Sequence, residues 1–285
     1  MRNPSLFKGR KLVIATMHEK ERIIAPLLEK HLGVEIVVPE NLDTDKFGTF
    51  TREIKRTGNQ LEAARKKAHA AMASAGVDLA VSSEGSFGAH PSIPFIQSNF
   101  ELLLFVDKKY GYEIRGHHRT SETNIDGQYV ATAEEALDFA KKVGFPEHGV
   151  VVRKSENGHF GIRKNIQTEE ALIDAVNKML SSFFTKRIFV ESDMRAHRNP
   201  TRMKAIGKAT EDLIKNITSL CPKCQAPGFV VIDFEKGLKC SLCGISTDLP
   251  LNDIYQCSIC GHSDKKRITK HGNTADPQYC GSCNP

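Results

Sequence analysis

The first 220 residues contain no cysteine, and all eight cysteines lie at or after Cys221. Disulfides and thiolate sites are thereby excluded from the larger part of the chain, which must hold together by burying a core. No apolar run approaches the ~18 residues that a membrane-crossing helix needs, so no membrane association is expected. The start, MRNPSLFKGRKLVIATM, has too short an apolar stretch for a secretory signal, and a cytoplasmic location is expected. Internal repeats and low-complexity tracts are also lacking before residue 219, which argues against a repeat architecture there.

What is present divides the 285 residues in two. A hydrophobic content of 40% with 26% charged residues is ordinary for a globular chain. Residues 1–218 suffice for an independent core, and residues 219–285 do not, so a main domain with a small cysteine-rich module is predicted. The formal charge of +6 is concentrated: Lys186, Arg187, Arg195, Arg198, Arg202, Lys204 and Lys208 face only Glu191 and Asp193 between positions 186 and 208. The cysteine-rich module is close to neutral, with Lys265, Lys266, Arg267 and Lys270 as its basic cluster.

Hydrophobic periodicity gives a strand, helix, strand unit at the start: KLVIAT (11–16), a helix with Ile23, Ile24, Leu27 and Leu28 at helical spacing, and VEIVV (34–38). PENLDTDKFGTFT is rich in turn formers and reads as a loop, followed by a helix over 57–75. DLAVS (78–82) reads as a third strand that ends in a glycine-rich loop, SEGSFGAHP. Residues 99–107 and 112–117 read as an antiparallel pair, and helices are predicted over 132–143, 168–184 and 199–217. GVVVRK, HFGIRK and RIFV read as further short strands. The predicted fold is α/β, a mixed, mostly parallel sheet flanked by helices, with a small C-terminal zinc module holding two four-cysteine sites.

The cysteines form four Cys-x-x-Cys knuckles: Cys221 with Cys224, Cys240 with Cys243, Cys257 with Cys260, and Cys280 with Cys283. Each knuckle sets two thiolates on one side of a tight turn, and two knuckles complete the tetrahedral shell that zinc prefers. Two structural zinc ions are expected. Sequential pairing, first with second and third with fourth, closes the shorter loops and is the expected arrangement; interleaved pairing is the alternative. Gly244 and Gly261 follow their knuckles and suit a backbone that must turn there.

Ligands of open parallel sheets bind beyond the carboxyl ends of the strands. The first strand ends in Thr16, His18 and Lys20, a hydroxyl, an imidazole and an ammonium entering a helix. The third ends at Glu84 among glycines, where a carboxylate could hold a divalent cation or act as a base. RIFV runs into ESDMRAHRNPTRM, where Asp193 is a second candidate metal ligand and Arg195, His197, Arg198 and Arg202 gather at a helix N-terminus capped by Asn199.

The motifs IATMH, PENLDTDKFGTFTREI, SEGSFGAHP, ESDMRAHRNPTRM and YCGSCNP resemble a bacterial family known only as a domain of unknown function. Residues 11–107, through IATMHEK, RTGNQLEAARKKA and VDLAVSSEGSF, are also similar in layout to the inosine and xanthosine triphosphate pyrophosphatases. His18 stands where that family has asparagine, and Ala64 near the place of its helix asparagine. The second resemblance implies that Thr16 and Lys20 contact a triphosphate and that Glu84 holds Mg2+ while water attacks phosphorus.

The functional expectation is binding, or metal-dependent hydrolysis, of a nucleotide or another phosphorylated small molecule. Glu84 and Asp193 are assigned to catalysis and Mg2+, and Thr16, His18, Lys20, Arg195, His197, Arg198 and Arg202 to the ligand. The alternative is a non-enzymatic adaptor whose zinc module grips nucleic acid or a protein partner.

Overall fold

The computed structural model describes residues 6–39, 59–158, 160–182, 185–270 and 272–285. Residues 40–51 of the predicted loop PENLDTDKFGTFT, the first two residues of the predicted 57–75 helix, and Phe183 and Phe184 at the end of the predicted 168–184 helix lie outside these. Two compact units are present, the first ending at Ile214 and the second running from Lys215 to Pro285.

In the first unit β1 (Lys11–Ala15), β2 (Glu35–Val37), β3 (Leu79–His90), β4 (Ile93–Asp107) and β5 (Tyr112–Thr120) form one sheet of order β2-β1-β3-β4-β5. β1 runs parallel to β2 and β3, whereas β3 to β4 and β4 to β5 are antiparallel. The sheet is mixed, with its parallel pairing confined to β2–β1–β3. Central position explains β1: four of its five residues are buried, because both faces are covered.

α2 (Gln60–Ala75) covers one face. Its inward stripe is Ala64, Ala68 and Ala71 with Met72, and these small side chains let the helix approach Val13, Ala15, Ala80, Leu104 and Val106 closely. Asn59 accepts from the Glu62 amide while Glu62 returns a bond to the Asn59 amide, a reciprocal cap that fixes where α2 begins.

α1 (Glu21–Leu32) connects β1 to β2, and α5 (Pro200–Thr218) lies over the face opposite α2. Gly116 in β5 makes the α5 contact possible. A Cβ there would fall 2.3 Å from the Leu213 amide nitrogen and 2.4 Å from its Cα. Gly207 of α5 in turn admits Ile23 of α1.

A second sheet was not anticipated. β6 (Gly127–Val130), β8 (Ile188–Ser192) and β7 (Val150–Arg153) form an antiparallel set of order β6-β8-β7. α3 (Ala133–Lys142) and α4 (Glu169–Leu180) pack on it around Phe139, Leu172, Val152 and Val190. RIFV therefore belongs to a separate sheet, within β8. HFGIRK is not a strand among its described residues: Arg163 alone bridges to Val152.

The largest departure is at SEGSFGAHP. Instead of a loop, the segment continues β3 to His90, paired residue for residue with β4 from Gly85 opposite Glu101 to Ala89 opposite Gln97. Glycine and serine favour turns locally, but a full antiparallel partner supplies the ladder bonds that keep them extended.

The second unit is built on β9 (Val230–Lys236), β10 (Pro250–Gln256) and β11 (Ser263–Arg267), antiparallel with β10 central. Its knuckles repeat one turn: Gln225, Gly244, Gly261 and Asn284 each donate an amide to the carbonyl of the first cysteine of their knuckle. Gln225, Gly244 and Gly261 do so with positive φ, of 60°, 72° and 69°. Glycine at two of these positions meets the need that the sequence indicated.

Candidate functional site

Beyond Ala15 the chain turns sharply. His18 and Glu19 are consecutive non-glycine residues in the left-handed region, at φ 65° and 60°, a conformation costing on the order of 1 kcal/mol or more for each. The turn sends Lys20 back toward β3. Its Nζ donates to the Ser83 carbonyl and to Ser83 Oγ, both at 3.3 Å, and the side chain is buried. No carboxylate pairs with Lys20 among the described residues. Burial is the main cause that lowers its pKa to about 7, reinforced by Arg202 and opposed by Glu101 and Glu84.

β3 presents alternate residues to opposite faces. Ser82 and Glu84 look toward α2, where Ser82 Oγ donates to the Ala64 carbonyl and Lys67 Nζ sits 2.6 Å from Glu84 Oε1. Gly85 looks the other way, toward α5. Arg202 Nε donates to Glu101 Oε1 at 2.8 Å, and its Nη1 to the Met194 carbonyl at 2.5 Å. The Arg202 guanidinium carbon lies 5.3 Å from the centre of the Phe87 ring. A Cβ at position 85 would stand 2.4 Å from Arg202 Nη2 and 2.7 Å from Glu101 Oε1, so a larger residue there would have to displace the ends of this ion pair.

The loop after β8 supplies the third side. Asn199 Oδ1 accepts from the Arg202 amide at 2.9 Å and so caps α5 as expected. Asp193 is spent on Arg195, which reaches both carboxylate oxygens through Nε at 3.0 and 3.1 Å. Arg195 Nη2 also donates to Asn165 Oδ1. Arg198 Nη2 donates to the Ile166 carbonyl, while its Nε is buried with no hydrogen-bond partner.

The His197 ring lies against that of His18, with ring centres 5.0 Å apart and planes tilted by 30°, and so joins the β8 loop to the β1 turn. Burial, then the charges of His197, Lys20, Arg195 and Arg202, bring the His18 pKa to about 3. His197 is lowered as well, first by burial and then by Arg195. Both imidazoles are neutral near pH 7.

The structure thus gathers His18, Lys20, His197 and Arg202 beyond the end of β1, with Arg195 and Arg198 on the same loop as His197. Glu84 stands on the opposite face of β3 from Arg202. Thr16 is half-buried, and its hydroxyl donates to the neighbouring Met17 carbonyl. Sequence reasoning missed Lys67, Ser83 and Glu101. Two of these carried a signal: Lys67 shares the helical stripe of Ala63, Ala64 and Ala71, and Glu101 shares the strand face of Leu103 and Phe105. A charge among core positions indicates a buried partner.

The cysteines are gathered differently from the sequential expectation. Cys221, Cys224, Cys257 and Cys260 form one group, and Cys240, Cys243, Cys280 and Cys283 the other, with the sulfurs of each within 4.8 Å of one another. Pairing is therefore interleaved, and each group can hold a metal ion. Among the described residues these are the clusters of three or more ligand side chains, and neither Glu84 nor Asp193 belongs to one.

A family model described as Domain of unknown function (DUF6671) matches residues 67–285. No curated protein matches the chain.

Proposed function

We propose that this chain, which belongs to the DUF6671 family of domains of unknown function, binds a phosphorylated small molecule beyond the end of β1, beside Ser83 of β3. The carrying observation is Lys20, a buried cation with no carboxylate partner among the described residues. Around it Lys67, Arg195 and Arg202 are each matched by Glu84, Asp193 and Glu101, while Lys20 and Arg198 are not. An anion placed beside Lys20 would offset its charge, and the neutral rings of His18 and His197 could donate to it.

Binding is a better reading than metal-dependent hydrolysis. The carboxylates assigned to Mg2+ are ion-paired, so a ligand is expected to bind without it. In each cysteine group the metal is taken to be zinc, because four thiolates complete a closed tetrahedral shell with no open position for chemistry. Eight thiols kept as ligands suit a reducing compartment, in keeping with the cytoplasm.

Thermal melting of the metal-replete protein against nucleoside mono-, di- and triphosphates and simple phosphate esters, with and without Mg2+, tests this reading. A ligand at about 100 times its Kd adds ~2.7 kcal/mol to stability, and Lys20→Met should remove the shift. No shift across the panel would overturn the anion site.

One observation favours a partner for the second unit. Leu242 and Ile259 lie inside knuckles with 74% and 49% exposure, and Ile245, two residues after the knuckle that holds Leu242, is 51% exposed. Apolar side chains held outward by rigid metal turns suit a protein partner better than nucleic acid, given the near-neutral charge of this unit.

A further inference from the structure

We propose, building on the reading of this site as an anion site, that its ligand carries an aldehyde or ketone carbonyl beside its anionic group and that Lys20 Nζ condenses with that carbonyl to an imine. The argument begins with who is paired with whom. Glu84 and Glu101 are the carboxylates whose charges reach Lys20. Glu84 is occupied by Lys67 at 2.6 Å and Glu101 by Arg202 at 2.8 Å. Lys20 is left between two satisfied ion pairs, each of which also presents a cation to it.

A lysine that is desolvated and set beside another cation is the arrangement that yields a nucleophilic amine near neutral pH. Its orientation is fixed as well. The Ser83 carbonyl and Ser83 Oγ lie 3.3 Å from Nζ and can take the two N–H bonds of a neutral amine. The lone pair is then directed away from β3. The strained turn at His18 and Glu19 positions the stem, and this turn lies beyond the carboxyl end of the parallel strand β1, where an α/β sheet places ligands.

The chemistry balances without a co-reactant. The Nζ lone pair forms a bond to the carbonyl carbon as the carbonyl π electrons move to oxygen. One amine proton reaches that oxygen, for which Ser83 Oγ is a suitable relay, giving a carbinolamine. The nitrogen lone pair then expels the hydroxyl, protonated, as water. Nothing is oxidised or reduced, and the net change is amine plus carbonyl to imine plus water. Protonation of the imine restores the positive charge that the ligand's own anion faces.

The test uses the full metal-replete chain and three small probes: glycolaldehyde phosphate, which has both groups; 2-hydroxyethyl phosphate, which has the anion only; and glycolaldehyde, which has the carbonyl only. After borohydride reduction and peptide mapping, glycolaldehyde phosphate should label Lys20 about tenfold ahead of any other lysine. Labelling should rise with pH through about 7 and be suppressed by 2-hydroxyethyl phosphate. Lys20→Arg should lose the adduct; the wild-type pH profile and competition by 2-hydroxyethyl phosphate decide the matter if that variant fails to fold. Labelling spread evenly over the lysines, with a melting shift still present, overturns the imine and leaves the anion site standing. No shift with either phosphate overturns the anion site and this inference with it. Equal labelling of Lys20 by glycolaldehyde removes the anionic group from the proposal.

Discussion

Val230 lies directly opposite Gln256 in the β9–β10 ladder. The first knuckle precedes β9 and the third follows β10, so this register brings Cys221 and Cys224 beside Cys257 and Cys260. At the other end of the ladder Lys236 faces Pro250, and Cys240 and Cys243 sit in the connection between them. The chain returns to that end after β11, where Arg267 faces Asn252 and Ala275 bridges Cys240. Strand pairing decides which knuckles meet, and it overrides the loop-length preference for neighbours in sequence.

Paired substitutions distinguish the two arrangements. Cys221→Ser with Cys257→Ser damages one interleaved site, so the purified protein should keep half its metal. Cys221→Ser with Cys240→Ser damages both and should lose nearly all of it. Metal content measured after release from the protein gives the reverse pattern if the knuckles pair sequentially.

The Glu101–Arg202 pair is fully buried. Breaking one member leaves an uncompensated charge, and Glu101→Gln is expected to cost about 3–5 kcal/mol in urea unfolding. Replacing both partners by apolar residues, Glu101→Leu with Arg202→Met, should cost less than the single change. A double variant as unstable as the sum of its parts would show that the two residues do not act as a unit.

Two shifted groups set the pH dependence of stability. His18 has its folded pKa lowered from 6.5 to about 3, so the unfolded chain binds more protons in that window and stability falls on acidification from pH 6.5 toward 3. Lys20 is lowered from 10.5 to about 7. Its penalty is complete below pH 7 and relieved as pH rises from about 7 to 10.5, so the ligand-free protein gains stability across that range. Lys20→Met should flatten the alkaline limb and His18→Asn the acid limb, as read by the midpoint of denaturant unfolding. An anion that needs protonated Lys20 should bind more weakly above pH 7, opposite in direction to the ligand-free stability.

Much of this was legible in the chain. The β1–α1–β2 unit follows from KLVIAT, the helical spacing of Ile24 and Leu28, and Gly33. Asn199 before Pro200 marks the start of α5, and Thr132 with Glu135 that of α3. What could not be read depends on partners distant in sequence. Ser83–His90 is turn-like in composition and becomes a strand because Ile93–Glu101 pairs with it. β6 is four residues long and has its partner some 60 positions away in β8. Single-residue types marked His18, Lys20 and Arg202 as candidates, but their meeting depends on the His18–His197 ring contact and on the glycine at 85. The interleaved cysteines follow from a register that no spacing rule contains.

The glycine at 116 offers the sharpest link between fold and site. Its φ is not in the left-handed region, so alanine there is free of backbone strain and meets only a steric obstacle. That obstacle is the Leu213 backbone rather than a flexible side chain tip, and relief requires α5 to move. α5 also carries Arg202. Gly116→Ala should therefore cost about 1–3 kcal/mol in denaturant unfolding and also reduce the melting shift produced by a phosphate ester. Gly111→Ala is the control: φ is 73° with open space around the position, so it should cost about 1 kcal/mol through backbone strain alone and leave the ligand shift intact. A Gly116→Ala protein that is destabilised yet binds as before would mean that the position of α5 does not govern the site.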